Sequence, residues 1–214
     1  VVKEEVVWEN YTLPNITLYG AKLPEEVVNR LWGYIDEAKN NKGDIQNLGD
    51  PRYNIDRAID LKDRDDYFLD FLNPILMEYL GNEDNTYILD VLSPHKEQKL
   101  YLRSLWVNYQ SKHEFLPNHF HLDSQISFAI WMKIPYEWED QHSLPICKNS
   151  ADPSAGDLEF TYSDILGNHH DYKFLMGSRL EGTIIIFPSL LLHQVYPFYN
   201  CDGKRISISG NISW

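Results

Sequence analysis

Lys204-Arg205-Ile206-Ser207-Ile208-Ser209-Gly210-Asn211-Ile212 is the stretch on which the fold turns. Side chains of an extended chain alternate between two faces. Ile206, Ile208 and Ile212 fall on one face, and Arg205, Ser207, Ser209 and Asn211 on the other. The alternation predicts a strand over residues 204–212, with its isoleucines against apolar structure and its polar set facing something else. A helical period would mix the two sets. Upstream, short runs rich in β-branched and aromatic residues predict strands near residues 86–92, 99–109, 125–134, 157–162, 172–176, 182–187 and 193–197. Strands at this spacing, with no helices between them, point to a sandwich or barrel rather than to βαβ units.

The first part of the chain reads as a strand followed by helices. Pro24-Glu25-Glu26 opens a helix, because proline suits the first turn and acids suit the positive end of the dipole. Val27, Val28, Leu31, Trp32 and Ile35 form its apolar stripe, and Asn40, Asn41 and Gly43 end it. A second helix is predicted over residues 65–80, with Phe68, Leu69, Leu72, Ile75, Leu76 and Tyr79 inward. Pro74 is expected to break or kink it near Asn73. Residues 44–62 look irregular. Residues 137–156 are polar and carry Pro145, Pro153 and Gly156, which predicts a long loop of the kind that often serves as a lid.

The 214 residues suit one domain, with about 1–84 as an N-terminal strand and supporting helices and about 85–214 as the β core. A formal net charge of −13 disfavours phosphate backbones as partners. Cys147 and Cys201 are too few for a disulfide framework or a cysteine-based zinc site, and a reducing cytoplasm is the simplest home. The acidic stretch Val1–Asn10 does not read as a signal peptide. No apolar run approaches the roughly 20 residues that span a bilayer, so no membrane partner is expected.

His121-Leu122-Asp123, followed seventy residues later by His193, carries the chemistry. Residues two apart on a strand point the same way, so His121 and Asp123 can reach one ion. Two imidazoles and a carboxylate on one face of a metal leave open positions for a chelating keto acid and dioxygen, the arrangement of non-haem Fe(II) oxygenases. His-x-Asp alone is a weak signal. It gains weight from Arg205 and Ser207, which follow His193 on the polar face of the last strand. An arginine fork donates two parallel hydrogen bonds to a carboxylate, and a serine two residues on adds a third donor.

With those residues in place, the chain resembles the Fe(II)/2-oxoglutarate-dependent dioxygenases: His-x-Asp, a distal His, then Arg-x-Ser. It is more narrowly similar to uncharacterised 2OG-Fe(II) oxygenases of marine cyanophages. The likeness lies in residues 106–110, 127–136, 181–189 and 205–211, within a span of about 100–214. It implies a double-stranded β-helix (jelly-roll, cupin-like) core with flanking helices, mainly β within an α+β class. It implies Fe(II), 2-oxoglutarate and O2, with His121, Asp123 and His193 on iron and Arg205 and Ser207 on the keto acid. It also implies hydroxylation of a small molecule or protein side chain, with release of succinate and carbon dioxide, in the host cytoplasm if the chain is phage-encoded. Relatives often show His-x-His here, and this chain reads His119-Phe120-His121-Leu122-Asp123. Two registers are therefore open, His121 with Asp123 or His119 with His121. The first is preferred because a carboxylate completes the facial set. The presence of Asp123 points to hydroxylation, since related halogenases lack the carboxylate.

Asn108 and Trp131 are weaker pocket candidates, chosen by strand parity. His95, His113, His142, His169 and His170 are expected at the surface. Two rival readings stay open: a non-enzymatic jelly-roll binding module, and a cupin-like metalloenzyme that ignores 2-oxoglutarate.

Overall fold

A computed structural model describes residues 16–40, 58–81 and 99–214. The predicted strand at 86–92 and His95 lie outside them.

The core is two antiparallel sheets. The larger, in the order β1-β8-β5-β10-β3-β2, contains β1 (Tyr19–Lys22), β2 (Ala58–Asp60), β3 (Tyr101–Gln110), β5 (Ile126–Lys133), β8 (Thr183–Pro188) and β10 (Arg205–Ser213). The smaller, in the order β4-β9-β6-β7, contains β4 (Leu116–His119), β6 (Leu158–Ser163), β7 (His169–Phe174) and β9 (Leu192–Val195). The chain crosses repeatedly between the sheets, and the result is a mainly β double-stranded β-helix.

Period-two alternation sorts the larger sheet into two packing faces. Ile126, Phe128, Ile130, Ile184, Ile186, Ile208 and Ile212 pack under two helices, α1 (Glu25–Asn40) and α2 (Tyr67–Gly81). Trp131, Ile185 and Phe187 point the other way and meet Leu158 and Phe160 of the smaller sheet. The strand of residues 204–212 behaves as its alternation predicts, but its polar face is not solvated: Arg205 is 3% and Asn211 7% exposed. That face looks into the space between the sheets, where the site lies.

Several local expectations change, and Ala58–Asp60, in a stretch read as irregular, forms the edge strand β2. Helix α2 runs through Pro74 without a break, because its inner face (Phe68, Leu72, Leu76, Tyr79) is fully enclosed by the core. Tertiary burial outweighs one lost backbone bond. Asp63 also caps this helix, accepting from the backbone N–H of Phe68 at 3.1 Å and of Leu69 at 2.9 Å. The 137–156 segment is partly regular, with a short helix α3 (Trp138–His142) and a 3-10 turn at Pro145–Cys147. Within α3, His142 is not solvent-exposed: its side chain is 11% accessible and its Nε2 lies 2.7 Å from Oδ2 of fully buried Asp157. His113, His169 and His170 are exposed, the last two on β7 rather than in the turn before it.

Candidate metal and co-substrate site

Strand β4 was not evident from the sequence, and it brings the decisive residue. Leu116-Pro117-Asn118-His119 contains a proline, which argues against a central strand. Here β4 is an edge strand, where a missing donor is tolerated. It pairs with β9 in a register that sets His119 opposite His193.

The chain then leaves the strand. His121 is held by its backbone N–H, which donates to the carbonyl of Ser189 at 2.8 Å. Leu122 and Asp123 form a bend. His119, His121 and His193 form the one cluster of potential metal-ligating side chains found among the described residues, with their ligand atoms all within 4.8 Å of one another. The ring centroids of His119 and His193 are 4.2 Å apart, and those of His121 and His193 are 5.4 Å apart.

Ring orientation is set by the backbone. Nδ1 of His119 lies 2.8 Å from the carbonyl of Pro117, and Nδ1 of His193 lies 2.8 Å from the carbonyl of Leu191. A proton on Nδ1 directed to a carbonyl would make Nε2 the atom that meets a metal. Burial pushes the His121 imidazole down to about 4, with the neighbouring His119 adding to the shift. Burial likewise pushes His193 down to about 3. Both rings are neutral at physiological pH, the state that binds metal. Clustered imidazoles suit a first-row divalent ion such as Fe(II).

Asp123 does not join this cluster. Its side chain is 70% exposed, and its Oδ2 accepts from Nη2 of Arg103 at 3.0 Å. The strand parity that would align it with His121 does not apply, because the strand has ended at His119 and the chain bends at residues 122–123. The alternative register, His119 with His121, is the pair that converges with His193.

The remaining candidates line the same cavity as the histidines: Arg205, Ser207, Asn108 and Trp131. Asn108 is fixed by Trp106 Nε1, which donates to its Oδ1 at 3.1 Å, and by its own Nδ2 donating to Ser209 at 3.2 Å. Trp131 is 3% exposed and packs near Phe174. Arg205 lies beside the rings of Phe198 and Tyr136, which stack on each other with centroids 4.8 Å apart, and its Cζ is 5.7 and 5.8 Å from their centroids. No carboxylate pairs with it among the described residues. Its hydrogen-bond acceptors are the Gln110 side chain, the Tyr136 hydroxyl and the backbone carbonyls of Gly156 and Tyr196. Sequence reasoning missed these partners, since they come from four separate segments and no motif links them.

Gly156 shows why the segment must end in glycine. Its φ is +85°, and a Cβ there would come within 2.9 Å of the Tyr136 ring. Only glycine turns its carbonyl toward Arg205 at this point.

A double-stranded β-helix with clustered histidines at one end of its inter-sheet cavity defines a class, the cupin-like and Fe(II) oxygenase metal sites. Comparison with known proteins narrows it. A family model described as "Putative 2OG-Fe(II) oxygenase" matches residues 104–211, half of the chain. The chain belongs to this family of 2OG-Fe(II) oxygenases, whose members use Fe(II), 2-oxoglutarate and O2. No curated protein sequence matches it.

Two solved prolyl hydroxylases agree on the fold. A prolyl-4-hydroxylase from Pseudomonas putida aligns over 92% of this chain and 91% of its own, with 14% identity and a TM-score of 0.50. A prolyl hydroxylase from Trichoplax adhaerens, solved with a hypoxia inducible factor peptide fragment, aligns over 92% of this chain and 83% of its own, with 11% identity and a TM-score of 0.53. An oxidoreductase of the 2OG-Fe(II) oxygenase family from Burkholderia pseudomallei aligns over 66% of this chain at 16% identity and a TM-score of 0.39. The chain covers 56% of that protein's length. Among the described residues, no helix is long and apolar enough to cross a membrane.

Proposed function

We propose that this oxygenase hydroxylates a small molecule or protein side chain, with Fe(II) held by His119, His121 and His193 and the far carboxylate of 2-oxoglutarate received by Arg205. The observation that carries the reading is one cavity lined both by three converging imidazoles and by a buried guanidinium without a counter-charge. A buried cation is costly unless it is paired, so a site that keeps one unpaired is built for an anion.

Each residue has a task. Pro117 and Leu191 orient two imidazoles through their carbonyls. Ser189 holds the backbone of the third. Ser207 adds a hydroxyl beside the guanidinium on the same strand face, and Trp131 closes the wall and excludes water. Asn108, immobilised by Trp106 and Ser209, presents a fixed amide to the cavity. When loaded, such a centre supplies oxidative decarboxylation of 2-oxoglutarate to succinate and carbon dioxide, coupled to insertion of one oxygen atom into a substrate C–H bond.

The set of His121, Asp123 and His193 would require Asp123 to leave Arg103 and reverse the bend at residues 122–123. The His119 set needs no such rearrangement. It also supports hydroxylation over halogenation. If all three imidazoles held the iron, a chelating keto acid and dioxygen would take the remaining ligand positions and none would be left for a halide.

The test is anaerobic addition of Fe(II) and then 2-oxoglutarate, followed by absorption. A metal-to-ligand charge-transfer band that needs both components is expected. Metal binding without the band would favour a cupin-like centre that ignores the keto acid, and no metal binding at all would favour a binding module.

A further inference from the structure

The fork edge of Arg205 is already occupied. A guanidinium offers five N–H donors in one plane, and here each has a protein acceptor. Nη1 donates to the Tyr136 hydroxyl and to the carbonyl of Gly156. Nη2 donates to the carbonyl of Tyr196 at 3.1 Å. Nη2 and Nε together converge on Oε1 of Gln110, at 2.5 and 3.2 Å.

These acceptors differ in how they are anchored. The Gly156 and Tyr196 carbonyls belong to backbone that is itself bonded, Gly156 N–H to the Pro197 carbonyl and Tyr196 N–H to the Asp157 carbonyl, both at 2.9 Å. Tyr136 is 7% exposed, and its hydroxyl donates to Gly156 at 2.6 Å. Gln110 is a half-buried, flexible side chain at the last position of β3. Its Nε2 donates to the carbonyl of Glu114, which turns its oxygen toward Arg205. One amide oxygen thus bridges the two parallel N–H bonds that a carboxylate takes with two oxygens.

We propose that Gln110 gates the Arg205 fork: its carboxamide oxygen caps the guanidinium and yields only to a ligand whose far end is a carboxylate. This rests on the functional reading above, in which Arg205 faces the keto acid. The exchange is favourable for one ligand class. Hydrogen bonds from a guanidinium to an ionised acceptor are about twice as strong as those between neutral groups. A carboxylate also supplies the counter-charge that Gln110 lacks. A keto acid ending in a methyl, hydroxyl or amide gains nothing over the resident amide, so the cap stays closed.

The test uses the full chain loaded with Mn(II), titrated calorimetrically with 2-oxoglutarate and with 2-oxobutyrate. The latter has the same keto-acid end but terminates in a methyl group. Gln110→Glu is expected to weaken 2-oxoglutarate about tenfold or more, because its own carboxylate holds the fork. Gln110→Ala is expected to tighten 2-oxoglutarate, because nothing competes. Neither variant is expected to move 2-oxobutyrate by more than about twofold, since that ligand never engages the fork. Equal shifts for both keto acids, or no shift for 2-oxoglutarate, would overturn the gate. If the alanine variant does not fold, the near-isosteric glutamate variant decides alone. Wild-type protein that binds metal but neither keto acid removes the functional reading and the gate together. Wild-type protein that prefers 2-oxoglutarate, with Gln110 variants that behave identically, removes the gate only.

Discussion

The backbone N–H of His121 donates to the carbonyl of Ser189 at 2.8 Å, and that bond ties the loop after β4 to the turn before β9. Ser189 is fully buried and makes three further links. Its N–H donates to the Gln125 carbonyl at 3.0 Å, and its hydroxyl meets those of Ser124 at 2.9 Å and Ser127 at 2.8 Å. Ser127 continues to Asn211, and Asn211 to Ser104. The backbone of His121 is therefore tied to a polar chain that is buried up to its half-buried end at Ser104 and crosses three strands of the larger sheet.

Ser189→Ala removes the hydroxyl at the centre of that chain and leaves Ser124 without this partner. A destabilisation of about 1–3 kcal/mol is expected from the unsatisfied buried group. Urea unfolding measures it. Metal affinity should fall as well, since the loop holding His121 loosens. A variant with wild-type midpoint and wild-type metal affinity would remove Ser189 from the account.

The two ligand sets part company at His119 and Asp123. His119→Ala should lose Fe(II) binding by about a hundredfold or more, as expected for a lost imidazole ligand. Asp123→Asn should bind metal as the wild type does, because its carboxylate is exposed and pairs with Arg103. Metal stoichiometry after equilibrium dialysis distinguishes them. The reverse pattern would restore Asp123 as the ligand.

The metal-free protein should lose stability in acid through its neutral histidines. An unfolded histidine takes a proton near pH 6.5, whereas folded His121 resists until about 4 and folded His193 until about 3. The unfolded chain binds more protons between those values, so stability is present above about pH 6.5 and declines as pH falls toward 3. Urea midpoints compared for wild type and His193→Gln between pH 7 and 4 test this. The variant should show the shallower acid decline, and parallel pH profiles would count against burial of a neutral ring at 193.

His142→Ala should release the 137–156 segment. It strips buried Asp157 of its 2.7 Å partner, leaving Met176 N–H on the other oxygen at 3.2 Å. Burial already raises the Asp157 carboxyl above its ordinary value. The expected outcome is a loss of about 1–3 kcal/mol, with faster proteolytic nicking between residues 137 and 156. Unchanged nicking would show that the pair does not anchor the segment.

Much of this architecture was legible because alternation is a local property. Ile206, Ile208 and Ile212, like Ile126, Phe128 and Ile130, declare a buried face whatever lies opposite, and the structure packs them under α1 and α2. Helix α1 was equally readable, since Val27, Leu31 and Ile35 repeat at helical spacing and are all buried. Strand β4 was not, because its Pro117 is acceptable only at a sheet edge, and edge position is a fact of topology.

The chain's own order of residues determined the sheet class, the buried faces and the candidacy of His121, His193 and Arg205, all of which follow from periodicity and side-chain chemistry. Only the tertiary structure decided that the strand ends at His119, so that Asp123 swings out to Arg103 while His119 meets His193. It alone revealed that Gln110, Tyr136, Gly156 and Tyr196 enclose Arg205. The physical reason is range: alternation needs two neighbours along the chain, whereas a converging site needs segments up to 95 residues apart to arrive at one point, at a loop-closure cost that no local pattern records.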